Sequence, residues 1–175
     1  MADVTVREAT VHDCEEIMRL IKELAVHHNE ADKVAIDEHV LRRDGFGDTP
    51  YFHCLVAEPS TQGTGQQRPL VGYAMYYWTY SPWCGKTCCL EDLFVTKDWR
   101  NHGVGTLLWA HVTKTALARE CAWVHWVVMD WNQQARDFYH GNGATNWSEK
   151  DGRLVYRMTH GTMTTFVNKR LPETA

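Results

Sequence analysis

The stretch LEDLFV at residues 90–95, followed by RNHGVG at residues 100–105, decides the fold of this chain. The first segment has the character of a strand, and apolar residues recur at helical spacing after the second. A turn between a strand and a helix leaves unpaired N–H groups at the helix N-terminus, where they and the helix dipole attract a phosphate. Glycine at 103 and 105 would let that anion approach the backbone, because glycine has no Cβ. An ordinary strand-to-helix connection has the same pattern, so the motif alone fits both interpretations.

Patterns along the rest of the chain predict one α/β domain spanning residues 1–175. Thr10 and Asp13 have the spacing of a capping box before an amphipathic helix. A polar, glycine-containing segment at 59–69 predicts an exposed, disordered loop. The predicted strands lie at 4–6, 52–57, 70–77, 87–95, 123–129 and 154–158, and the predicted helices at 17–24, 37–43, 104–119 and 133–140.

The composition is that of a globular protein with a mild negative charge. Hydrophobic residues make up 44% of the chain and charged residues 23%, and 18 basic against 22 acidic residues give a net charge of −4. No basic stripe predicts a nucleic-acid site, and no apolar stretch approaches the ~20 residues of a membrane span. Six cysteines lack zinc-ligand spacing, and the N-terminus lacks the pattern of a secretory leader. We therefore expect free thiols, no metal, no nucleic-acid or membrane partner, and a cytoplasmic location.

Several sequence blocks resemble one enzyme family. The turn at 100–105 is similar to the acetyl-CoA pyrophosphate loop (Q/R-x-x-G-x-G/A) of the GNAT superfamily of N-acetyltransferases, and WNQQARDFY at 131–139 is similar to its second motif. Four further blocks resemble, in order and spacing, the spermidine/spermine acetyltransferases and their thialysine-acetylating branch: DGFGD at 44–48, HCLVAE at 53–58, VGYAMYY at 71–77 and LED at 90–92. The resemblance implies a GNAT fold, a central mixed and mostly antiparallel sheet flanked by helices.

The same resemblance implies how the coenzyme is held. The pantetheine arm would pair with the backbone after the Glu-Asp pair, where an N–H could also polarise the thioester carbonyl. Asn132 fits a helix N-cap by type and position, and the cap and a coenzyme contact are compatible. The implied acetyl-CoA-binding residues are Leu93, Phe94, Val95, Arg100, Asn101, His102, Gly103, Val104, Gly105, Thr106, Asn132, Gln133, Gln134, Ala135 and Tyr139.

Two residues are implied to carry proton transfers. Tyr139 matches the family tyrosine that faces the coenzyme sulfur, and a phenol can protonate a thiolate because their pKa values lie close together; the alternative is a tyrosine that packs on the sheet. Glu91 would take the proton of the amine, acting through water. Glu91 and Asp92 are consecutive on a strand, so we expect their side chains on opposite faces. Asp92 would hold a substrate ammonium or make a structural hydrogen bond.

The sequence departs from the polyamine-acetylating members at the implied acceptor site. Ser81 stands two residues before Trp83 where those members carry Asp, and His28 replaces a Glu; the pair His27-His28 either lines the pocket or is solvated. His140-Gly141-Asn142 follows Tyr139 where the polyamine-acetylating members carry arginines, so Arg100 or Arg136 would have to serve the coenzyme phosphate. The implied substrate-binding residues are His27, His28, Ser81, Trp83, Glu91, Asp92 and Asp151.

Fewer acids favour an acceptor with fewer positive charges than spermine. We expect acetyl transfer in a ternary complex to a thialysine-like or lysine-like amino acid first, and to a polyamine second. The family also implies a homodimer. Two other functions fit the sequence: an acetyl-CoA-binding or protein-interaction module of low turnover, and a protein lysine acetyltransferase.

Overall fold

The computed structural model describes residues 3–60 and 69–171, which divide into two compact units, Met1–Val127 and Val128–Ala175, and each unit is treated by itself. Its strands are β1 (Val4–Glu8), β2 (His53–Pro59), β3 (Gly72–Ser81), β4 (Gly85–Val95) and β5 (Val124–His125). Its α-helices are α1 (Cys14–His27), α2 (Glu38–Phe46), α3 (Val104–Ala118), α4 (Gln133–Gly141), α5 (Trp147–Asp151) and α6 (His160–Arg170). No described helix is long and apolar enough to cross a membrane.

The first unit contains a five-stranded mixed sheet with helices on both faces. The strand order is β1-β2-β3-β4-β5; the first four strands pair antiparallel, and β4 pairs parallel with β5. One face packs against α1 and α2 through residues such as Ile17, Leu41 and Phe94, and the other packs against α3 through Leu90 and Leu108. The predicted α/β class and the mostly antiparallel sheet are therefore confirmed.

An extra residue in β4 changes which side chains share a face. Met75 of β3 lies opposite Asp92, but the next residue, Tyr76, lies opposite Leu90, so Glu91 is left as the extra residue of a β-bulge. Before the bulge Leu90 packs on the α3 side of the sheet. After it the alternation is shifted by one residue.

This shift overturns the expectation that Glu91 and Asp92 leave opposite faces. Leu93 packs on the same α3 side as Leu90, although the two lie three positions apart, an odd number that would put them on opposite faces of a regular strand. Asp92 points to the opposite side, where Tyr73 donates a hydrogen bond to it. The Glu91 carboxylate acts on the pKa values of both Tyr73 and Asp92. Because Leu90 and Leu93 both lie on the α3 side, Glu91 and Asp92 between them both lie on the face that carries α1 and α2.

The predictions near the end of the chain were less accurate. The strand predicted at 123–129 pairs only at Val124–His125, and in the described part of the chain no strand forms at 154–158, where the prediction was wrong. The segment 154–158 is rich in apolar residues that suit a strand, but a strand exists only where another strand pairs with it. The helices α5 and α6 were not predicted; α6 is rich in threonine, which has low helix propensity. The loop predicted at 59–69 lies largely outside the described residues, and the single domain stays a prediction.

A charged network fastens the start of α1 to the sheet. Two nitrogens of Arg7 on β1 donate to the two oxygens of Asp13 at 2.8 and 2.9 Å, and Arg7 also pairs with Glu58 on β2. The backbone N–H of Thr10 donates to the Asp13 carboxylate at 2.6 Å, as the predicted capping box requires. These donors lower the pKa of the buried Asp13 from 3.8 to about 2, the Arg7 hydrogen bond being the largest cause.

We predict that Asp13→Asn lowers the free energy of unfolding at neutral pH by about 2 kcal/mol. The pKa of Asp13 is depressed in the folded protein, so its contribution is present above pH 3.8 and is lost as the pH falls towards 2. Denaturant unfolding from pH 7 to pH 3 measures this. The wild type and the variant should converge as the pH falls, and the exposed Asp48→Asn is the control. A constant difference at every pH would contradict the assignment.

Candidate functional site

One edge of β4 is open along its second half. On one side β4 pairs with β3 as far as Val95, but on the other side it pairs with β5 only at Cys88 and Cys89. Within the described residues, no strand covers this second edge over residues 90–95. Alternate N–H and C=O groups of Leu93, Phe94 and Val95 therefore form an edge to which an extended ligand can add like a strand.

The turn after β4 ends in a helix N-terminus that suits an anion. Asn101 and Gly103 both have positive φ, 63° and 85°, which glycine adopts freely and asparagine tolerates. The helix α3 then begins at Val104, and Leu107 N–H donates to Gly103 O at 3.0 Å. The amides before Leu107 have no intrahelical acceptor, so they can bind phosphate oxygens. A Cβ at Gly105 would meet only a Val95 methyl at 3.7 Å, so this position tolerates alanine.

Some of the predicted coenzyme-binding residues can contact a ligand only through their backbone, because their side chains are packed inside the protein. The side chains of Phe94 and Val104 are buried in the two cores. The Arg100 Nε donates to Val95 O at 2.8 Å, and its guanidinium carbon lies 5.2 Å from the centre of the Phe94 ring. In contrast, Asn101, His102 and Thr106 are exposed. The arrangement fits a pyrophosphate group held by main-chain amides.

A pair of carboxylates lies on β4 just before the open edge. Glu91 is exposed, whereas Asp92 is half-buried and accepts a hydrogen bond of 3.0 Å from the hydroxyl of the fully buried Tyr73. Burial raises the pKa of Asp92, and the Glu91 charge adds to that rise; the Tyr73 hydrogen bond and the His28 charge oppose it. The pair is thus a site where a bound ammonium would relieve repulsion between two acids.

The other predicted acceptor residues of the first unit lie at the end of α1 and in the β3–β4 turn. His27 ends α1, and His28 follows it as the C-cap residue, with the ring centres 5.7 Å apart. Burial and the nearby positive charge of Arg100 lower the pKa of His27. Ser81 Oγ accepts a hydrogen bond from Trp83 N–H at 3.3 Å, and the Trp83 side chain is exposed. Of these residues, His28 is the one whose charge acts on Asp92.

The remaining predicted residues lie in the second unit. Asn132 caps α4, since its side-chain oxygen accepts from Ala135 N–H at 3.1 Å, and this confirms the predicted cap. Gln133 donates to Asp137 at 2.6 Å. Tyr139 lies on the last turn of α4, half-buried beside Phe138. Asp151 forms an ion pair of 3.1 Å with Arg153.

Sequence reasoning missed a cationic cavity beside β4. It has a volume of about 470 Å³ and lies between α1 and the segment that follows β4. Its lining includes Arg19 and Lys22 of α1, Phe94, Lys97 and Arg100. Lys22 and Lys97 are 75 residues apart in the sequence, so no local motif could have joined them.

Among the described residues, no group of three or more His, Cys, Asp or Glu is placed to hold a metal ion.

Comparison with known proteins agrees with this geometry. The model of the Acetyltransferase (GNAT) family matches residues 14–144. Over 158 residues the chain is 43% identical to thialysine N-epsilon-acetyltransferase from Bos taurus, covering 90% of this chain and 93% of that protein. Over 152 residues it is 40% identical to spermidine/spermine N(1)-acetyltransferase-like protein 1 from Homo sapiens, covering 87% of this chain and 22% of that protein. The resemblance drawn from the sequence blocks is confirmed.

Solved structures support the fold. An integron cassette protein from the mobile metagenome of V. cholerae superposes with a TM-score of 0.73 at 20% identity, covering 95% of this chain and 99% of that chain. An aminoglycoside acetyltransferase from an uncultured soil metagenomic sample gives a TM-score of 0.68 at 16% identity, covering 90% and 95%. At these identities the likeness concerns the fold alone.

We predict that Tyr73→Phe raises the pKa of Asp92 further. In the wild type the hydrogen bond from the Tyr73 hydroxyl stabilises the ionised Asp92 carboxylate, so losing this bond favours the protonated form. The measurement is an NMR titration of the carboxyl carbon of Asp92. Tyr76→Phe, which changes a buried tyrosine on the opposite face of β3, is the matched control and should leave that titration unchanged. An Asp92 pKa that stays constant or falls in Tyr73→Phe would exclude this role of the hydroxyl.

Proposed function

We propose that this chain, which belongs to the GNAT acetyltransferase family, transfers the acetyl group of acetyl-CoA to the side-chain amine of a thialysine-like or lysine-like amino acid. The observation that carries the proposal is the open edge of β4, which has the acid pair Glu91 and Asp92 at one end and the anion-binding turn of α3 at the other. The similarity to thialysine N-epsilon-acetyltransferase over 90% of the chain supports the choice of acceptor.

The residues of the turn and of the open edge would hold the donor. Acetyl-CoA supplies an acetyl group on a thioester, whose carbonyl oxygen gains negative charge during transfer. The amides at the start of α3 would bind its pyrophosphate, and the backbone of Leu93–Val95 would pair with its pantetheine arm. A main-chain N–H of that edge would then stabilise the developing charge, because it is fixed in place before reaction. Asn132, Gln133, Gln134 and Ala135 of the second unit are proposed as further contacts.

Two proton transfers complete the reaction in a ternary complex. The acceptor amine is protonated at neutral pH and must lose a proton before its nitrogen can attack. We assign this step to Glu91, acting through water, because its carboxylate is exposed and stands beside Asp92. We assign the proton that the departing thiolate needs to the hydroxyl of Tyr139. Asp92 would hold the ammonium group in position.

The acceptor site favours an amine of low charge. Ser81 supplies no carboxylate beside Trp83, and protonated His28 would repel a second ammonium. In the second unit the Asp151 charge is partly compensated by Arg153. A polyamine such as spermidine is therefore our second choice of acceptor. A homodimer, which the family resemblance implies, is part of the proposal.

We predict that Glu91→Gln and Tyr139→Phe each lower kcat by roughly a hundredfold, with a small change in the KM of acetyl-CoA. Initial rates are measured with thialysine, lysine, putrescine, spermidine, norspermidine and spermine at neutral and mildly alkaline pH. Glu15→Gln and Tyr51→Phe change an exposed acid and an exposed tyrosine, so they serve as controls and should retain the wild-type rate. Acetyl-CoA binding without transfer to any amine would instead favour a binding module.

A further inference from the structure

The cavity beside β4 carries more positive charge than its own carboxylate balances. Arg19 is already satisfied, because it pairs with Glu16 and Glu23 and donates to Leu70 O at 2.7 Å. The second Glu23 oxygen accepts from Thr96 Oγ1 at 2.7 Å. Within the described residues, the ammonium groups of Lys22 and Lys97 form no ion pair. These two groups and the Arg100 guanidinium therefore give the cavity an uncompensated positive field.

This cationic cavity lies next to the acid pair. Phe94 lines the cavity, and Asp92 stands two residues earlier on the same face of β4, about 7 Å away along the strand. The end of α1 also connects the cavity with the acid pair. His27 lines the cavity, and the charge of the neighbouring His28 lowers the pKa of Asp92. Sites for a cation and for an anion thus follow each other along one strand.

We propose, on the basis of the proposed function, that this cavity binds the α-carboxylate of the acceptor, so that the enzyme selects amino acids bearing a side-chain amine over diamines and polyamines. Lys22 and Lys97 are the specificity-determining residues. The acid pair holds the amine that is acetylated, and the two lysines hold the far end of the same molecule.

Lysine-like amino acids and polyamines differ in the charged group that they would bring to this cavity. A lysine-like side chain is about as long as the step from Asp92 to the cavity, so its amine and its carboxylate can occupy both sites together. The α-ammonium group can remain in water at the mouth, where Lys22 and His27 are exposed. In a diamine or polyamine the second ammonium has no neighbouring carboxylate to offset its charge, so Lys22, Lys97 and Arg100 would repel it.

The test compares acceptors that differ only in the carboxylate. Thialysine is paired with its decarboxylated analogue, bis(2-aminoethyl) sulfide, and lysine with cadaverine. For Lys22→Gln and for Lys97→Gln, we expect the KM of thialysine to rise about fivefold per charge removed. The kcat/KM of the decarboxylated analogue should rise, because each substitution removes a charge that repels its second ammonium, and the KM of acetyl-CoA should stay at its wild-type value. Lys114→Gln, an exposed lysine of α3 outside the cavity, is the matched control.

Two results would overturn the carboxylate site. Equal losses for thialysine and its analogue would mean that the lysines act on the amine or on the fold. A rise in the KM of acetyl-CoA, with that of thialysine unchanged, would assign the cavity to the donor.

Calorimetry separates this proposal from the proposed function. With CoA present and no turnover required, the wild type should bind thialysine more tightly than the decarboxylated analogue. The preference should disappear in the double variant Lys22→Gln/Lys97→Gln. Absence of acetyl transfer would then contradict the function alone, whereas absence of this binding preference would contradict the carboxylate site alone.

Discussion

The single extra residue at Glu91 sets the geometry of everything that follows it on β4. Without the bulge, strand alternation would turn Asp92 towards α3 and into an apolar core, where a carboxylate is costly. With it, Asp92 faces the α1 side, and the Tyr73 hydroxyl stabilises its ionised form. The parallel pairing with β5 ends at Cys89, just before the same bulge. The bulge therefore places the acid pair at the start of the open edge.

Opposite charges along β4 divide the candidate site into two halves. The acids Glu91 and Asp92 come first, and the cations Lys97 and Arg100 follow the end of the strand, joined by Lys22 from α1. Among the described residues no ion pair joins the acids of one half to the cations of the other. A ligand with both charges is the natural complement of such a surface.

Local sequence patterns were sufficient for part of this structure. The strand, the glycine turn and the start of α3 follow from spacing, and Asn132 caps its helix as its type and position suggested. The bulge could not be foreseen, since it depends on the register between β3 and β4. The contact between Tyr73 and Asp92 depends on the same register, and the Lys22 and Lys97 cavity requires two segments distant in sequence to meet. The sequence 154–158 has the apolar residues of a strand, but composition does not specify a pairing partner.

No strand among the described residues pairs with the second edge of β4 over residues 90–95, and this has a consequence for the behaviour of the protein in storage. A strand edge with free amides and carbonyls is a template for self-association, and natural sheets normally blunt or cover such edges. A molecule that adds along residues 93–95 would cover this edge and would also stabilise the native state by mass action. With acetyl-CoA as that molecule, as proposed above, preparations kept with it should stay dispersed to higher concentrations than the free protein.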